Sequence, residues 1–106
     1  MATALKRLAG PVALGTSAAT LYTAPGGGSA EVRDIHVCNE TGTTRTFRLS
    51  IGADGAGTRI YYDCEVPPGR PFQRTGNFHL AAGETLQGLA SAGSALTITI
   101  GGIETS

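Results

Sequence analysis

Apolar and polar residues alternate along much of the chain with a period of two. In "TFRLSIG" the apolar Phe47, Leu49 and Ile51 alternate with Thr46, Arg48 and Ser50, and in "ALTITIG" Leu96, Ile98 and Ile100 alternate with Thr97 and Thr99. Successive side chains of a β-strand point to opposite faces, so the pattern predicts strands with one buried and one exposed face. Turn signals separate these runs: "APGGGS" at 24–29, "NETGT" at 39–43, "GADGAG" at 52–57, "VPPGRP" at 66–71, "LAAGE" at 80–84 and "SAGSA" at 91–95. They combine Gly with Pro, Asp, Asn or Ser, residues that accept or pre-set turn dihedrals. The strands expected between them cover residues 5–9, 18–23, 30–38, 45–51, 58–63, 70–79 (as one strand or two), 84–90 and 95–101. Seven to eight short strands, spaced by about 12 residues, predict an all-β fold. The expected architecture is a single-domain antiparallel β-sandwich or jelly roll over residues 1–106, with 1–10 as an extended N-terminal arm.

Composition narrows this picture. A chain of 106 residues is long enough for one core without obligatory disulfides or metal. Sixteen glycines and many Ser and Thr residues disfavour helices and supply turns. Eight basic and eight acidic residues give zero formal charge, so there is no electrostatic footprint for nucleic acid or an anionic membrane surface. No apolar run approaches the roughly 18 residues of a membrane helix. In "MATALKRLAGPVALGTSAAT" the cations Lys6 and Arg7 precede a mildly apolar stretch, as in a signal peptide, but Gly10, Pro11 and Gly15 interrupt its helical core. An arm or a first strand is the expected reading.

Candidate chemistry concentrates in "DIHVCNETG", residues 34–42. With period two, Arg33, Ile35, Val37 and Asn39 share one face, and Val32, Asp34, His36 and Cys38 the other. Ile35 and Val37 form the expected core pair, which turns His36 and Cys38 outward, about 7 Å apart along the strand. A zinc site would then need Cys64 and His79 to converge with them, yet no Cys-x-x-Cys or His-x-x-x-His spacing is present. The expectation is an exposed histidine, a partly buried thiol, and no metal or other cofactor. Cys38 and Cys64 are too few for a disulfide framework and are expected to be reduced. "NET" at 39–41 matches a glycosylation acceptor only in form.

No Gly-x-Ser-x-Gly elbow or phosphate loop occurs, and the carboxylates lie mostly beside turns, so no constellation asks for catalysis. The chain is therefore expected not to be an enzyme. The remaining candidates are contact residues. Tyr61 and Tyr62 are adjacent in "TRIYYD", so one should face inward and the other outward beside Arg59 or Asp63. Phe72 and Phe78 flank "QRTGN", which reads as a hairpin tip. Leu5 and Leu8 are apolar before the first clear core strand and are expected to dock onto a neighbouring chain. Leu5, Leu8, Tyr61 and Tyr62 make up the candidate interface.

Three segments, "LKRLAGPVALGTSAATLYTAPGG", "VRDIHVCNETGTTRTFRLSIGADGAGTRI" and "LAAGETLQGLASAGSALTITIGGIE", together resemble small β-sandwich virion proteins of tailed bacteriophages, especially those of actinobacteria. The likeness runs over nearly the whole chain and is weakest around residues 64–78. It implies a structural protein of the virion, assembled in the bacterial cytoplasm. Its partners would be other virion proteins, foremost the major capsid protein, and further copies of itself, for example as a trimer. Capsid decoration is the favoured role; a tail or baseplate accessory protein is the alternative. A carbohydrate-binding module, with Tyr61 or Tyr62 stacking on a sugar ring, is a further reading, against which the low aromatic content weighs.

Overall fold

The structure, a computed structural model, describes residues 3–105, and at 76 and 77 the backbone alone. Eight strands form: β1 (Thr3–Ala13), β2 (Ala19–Thr23), β3 (Ser29–Asn39), β4 (Arg45–Ile51), β5 (Arg59–Val66), β6 (Phe72–Leu80), β7 (Thr85–Ala90) and β8 (Leu96–Thr105). They make two antiparallel four-stranded sheets, ordered β1-β8-β3-β6 and β2-β7-β4-β5. Only β4 and β5 are consecutive neighbours in one sheet; every other connection carries the chain across to the opposite sheet. That is the connectivity of a jelly roll. The fold is an all-β sandwich, as the alternation and turn spacing predict.

The core lies between the sheets. Strand β8 supplies the cleanest alternation, with Leu96, Ile98 and Ile100 buried and Thr97 and Thr99 turned out. Across from it, Phe47 and Leu49 of β4 and Leu86 of β7 are fully buried. Each such side chain contributes about 1.5–3 kcal/mol on burial, before ordering is counted. Phe47 also packs edge-on against Phe72, with ring centroids 4.9 Å apart, which joins the two sheets along the β5–β6 side.

Two expectations need correction. Ala30 and Val32 are buried at even positions of β3, whereas Ile35, Val37 and Asn39 are buried at odd ones. A bulge at Arg33, between the pairs Val32↔Gly102 and Asp34↔Gly101, inserts one extra residue and switches the inward face. Val32 therefore points into the core, not out beside His36. The segment around "QRTGN" is likewise not a hairpin: β6 runs unbroken from Phe72 to Leu80, and both Phe72 and Phe78 pack on the core.

Irregular pairing recurs on the same line across this sheet. Strand β1 gains a residue between Arg7↔Gly101 and Ala9↔Ile100, and β6 gains one between Thr75 and Phe78, while β8 carries Gly101–Gly102 through the line without interruption. The glycine is required there. A Cβ on Gly102 would stand 2.1 Å from the carbonyl oxygen of Glu31 and 2.9 Å from Leu8 Cδ1.

Candidate interaction surface

The outward face of β4 and β5 carries a compact set of polar and aromatic side chains. Pairing passes from Phe47↔Cys64 to Leu49↔Tyr61, so two residues of β5, Tyr62 and Asp63, oppose the single Arg48. Asp63 takes the left-handed conformation, φ 48°, that such a bulge uses and that Asp tolerates better than most residues. Tyr62 and Asp63 thus reach Arg48 together, although a regular strand would separate them. Tyr61 turns inward, against Phe47 and Phe72.

The opposing charges are paired. Arg48 Nε donates to Asp63 Oδ1 at 2.7 Å and its Nη2 to Oδ2 at 3.4 Å. Arg59 Nε donates to Asp54 Oδ1 at 2.8 Å and its Nη2 to Oδ2 at 3.3 Å, while Arg48 Nη1 lies 3.6 Å from Asp54 Oδ2. Both guanidinium carbons sit close to the Tyr62 ring, 4.6 Å from its centroid for Arg48 and 4.7 Å for Arg59, within cation–π range. Tyr62 still leaves 57% of its surface open. The hydrogen bond from Arg48 holds the Asp63 carboxyl below the usual carboxylate range, and that from Arg59 does the same for Asp54. The "GADGAG" turn supplies Asp54: Gly52 adopts φ 86°, and Thr58 closes the loop by donating from its backbone N–H to Gly55 and from its hydroxyl to Ala53.

The other predicted residues fall elsewhere. Leu5 is 82% exposed on β1, an edge strand. Leu8, expected beside it as a contact for another chain, is instead part of the chain's own core, because the bulge in β1 turns it inward. Residues 3–10 are correspondingly no free arm: they pair with β8 from Thr3↔Thr105 onward. At the start of β1, Lys6 donates to Glu104, which also accepts a hydrogen bond from the Tyr22 hydroxyl of the opposite sheet. Those two bonds, Tyr22 first, lower the Glu104 pKa, while burial and then the Glu104 bond raise that of Tyr22.

His36, Cys38 and His79 lie on the outer face of their sheet, whereas Cys64, opposite the buried Phe47, packs on the core. The four cannot meet, and among the described residues no three His, Cys, Asp or Glu side chains group as metal ligands. Both cysteines are free. Burial pushes the Cys64 thiol pKa up. Arg48 and Asp54 were not among the expected site residues. The alternation of β4 already turns Arg48 outward, but its meeting with Tyr62 depends on a bulge and a loop that no periodicity encodes.

Family models, curated proteins and solved structures were all compared with the chain, and none matches.

Proposed function

We propose that the chain is a non-enzymatic structural protein of a bacteriophage virion, serving as a decoration protein of the head. The reading rests on the resemblance of the three sequence segments given above; no family model, curated protein or solved structure adds to it. The architecture is compatible with it. A jelly roll with a filled interior offers its partners sheet faces and strand edges, and those are the surfaces on which a repeated staple docks. Strand β1 presents one such edge, with Leu5 and Val12 exposed along it. Contact there would draw on apolar burial and backbone pairing more than on charge.

A second reading, a tail or baseplate accessory protein, is favoured by the exposed Tyr62 in contact with two arginines, a composition common where proteins meet ligands or partners. Immunogold electron microscopy of virions, with antibody raised against the recombinant chain, separates the two. Gold over the head is the expected result. Gold at the tail alone would replace the first reading with the second, and unlabelled particles under conditions that label a known virion protein would sink both.

A further inference from the structure

The cluster on β4 and β5 has a chemistry that selects among possible ligands. Tyr62 offers more than half of its surface, and the ring is held by two guanidinium groups that are themselves fixed by carboxylates. A group already ordered loses little freedom on binding. Two cations, Arg48 and Arg59, are balanced by two anions, Asp54 and Asp63, so the cluster attracts neither sign of charge strongly. An anionic ligand would have to compete with Asp63 or Asp54 for its guanidinium, and a cationic ligand would have to compete with an arginine.

Hydrogen-bonding capacity is nonetheless left over. A guanidinium carries five N–H donors and a carboxylate about four acceptor sites. The internal bonds use Nε and Nη2 of each arginine, Arg48 Nη1 also faces Asp54 Oδ2, and the carboxylate oxygens keep further acceptor positions. Free donors and free acceptors therefore surround a single aromatic ring. An apolar protein surface laid over them would strip four charged groups of water without replacing it, which is unfavourable. A neutral ring bearing several hydroxyls avoids that penalty: each hydroxyl both donates and accepts, and its C–H face can lie against the part of Tyr62 that the two guanidinium groups leave open.

We propose that Tyr62, flanked by the Arg48–Asp63 and Arg59–Asp54 pairs, forms a binding subsite for a neutral saccharide. The subsite does not depend on where in a particle the chain is placed. It is shallow, and a single sugar ring should bind with a dissociation constant on the order of 1 mM.

The test is a titration of the full-length, isotope-labelled protein, following backbone amide shifts. The probes are neutral oligosaccharides of glucose, galactose, mannose, rhamnose and arabinose, with galacturonate and glucosamine as charged counterparts. Saturable shifts are expected at Arg48 and across residues 59–63 with at least one neutral sugar. Tyr62→Ala should weaken that binding roughly five- to tenfold, and Tyr62→Phe should keep it within about twofold. The proposal is overturned if no neutral sugar moves these amides, if only a charged sugar does so, or if Tyr62→Ala, folded by its amide spectrum, binds as the parent does. Should Tyr62→Ala fail to fold, the shift map of the parent protein and Tyr62→Phe decide alone. A purified capsid or tail protein that shifts the same amides when no neutral sugar does would assign the patch to protein docking and overturn the proposal as well.

Discussion

Asn39 shows what the stretch "DIHVCNETG" is for. Its Nδ2 donates to the carbonyl oxygens of Thr43 at 2.8 Å and Val66 at 2.7 Å, while its Oδ1 accepts from the Thr41 N–H at 2.8 Å and hydroxyl at 2.7 Å. All four hydrogen-bonding positions of the amide are in use. The residue thus fixes the β3–β4 turn and ties it to the end of β5. Asn39→Ala should destabilise the protein by about 1–3 kcal/mol in urea unfolding, because the buried Val66 carbonyl loses its donor. A change under about 0.5 kcal/mol would show that water replaces the amide freely. The turn was legible in the sequence, since Asn, Gly and Thr cluster there. The tie to Val66 was not, because its partner lies in another strand whose register no local pattern reports. The cysteines are more readily tested: in the native protein a thiol reagent should modify exposed Cys38 quickly and Cys64 only slowly, with two thiols reacting after unfolding. Fewer than two thiols in the unfolded state would mean a bridge.

At the level of the strand, β1 separates two residues that the sequence pattern grouped. Leu8→Ala should cost about 2 kcal/mol or more of folding stability, as expected for a buried leucine in a strand with one open edge. Leu5→Ala should leave stability within about 0.5 kcal/mol, since the side chain is already in water. Equal losses by thermal or urea unfolding would contradict this assignment. Truncating residues 1–9 would remove Leu8 and Ala9 from the core, so attachment to a partner is better probed by Leu5→Glu than by deletion. The places of the strands were legible from alternation and turns, because one buried face imposes period two, but β1 was expected only over 5–9 and β6 as one strand or two. The faces of β1 and β3 were legible only in part, because a bulge breaks that period without a sequence mark of its own.

For the molecule as a whole, charge enters stability through bonds that join separate elements. Glu104 binds Lys6 of β1 and Tyr22 of the other sheet, and Asp54 and Asp63 join the 52–58 loop and β5 to β4. All three carboxyls are lowered in the folded state, so the unfolded chain takes up protons first as the pH falls. Their contribution is present above the ordinary carboxylate pKa near 4 and is lost as the pH drops through the lower folded values. Tyr22 acts in the opposite sense: its raised pKa stabilises the fold below about pH 10 and ceases to do so as the pH climbs through the folded value. Urea midpoints between pH 2 and 6 should therefore climb with pH. Glu104→Gln should make the climb shallower, and identical profiles for the two proteins would show that Glu104 carries no linkage.

The row of bulges beside Gly101–Gly102 bears on how such a sequence can change over time. It offsets the inward positions of β3 by one, and β1 shifts there and again between Ala9 and Val12, while β8 keeps a single count throughout. Losing Arg33 would remove the bulge and leave Ala30, Val32, Ile35 and Val37 inward on one regular alternation, whereas losing a residue elsewhere in β3 would turn the apolar positions on one side of the gap outward. Single deletions in β3 should thus be tolerated best at Arg33, whereas the turns between strands are free to vary in length. A library of single-residue deletions should record that difference as a sharp fall in folded yield within β1, β8 and the rest of β3, a smaller one at Arg33, and little change in the glycine-rich loops.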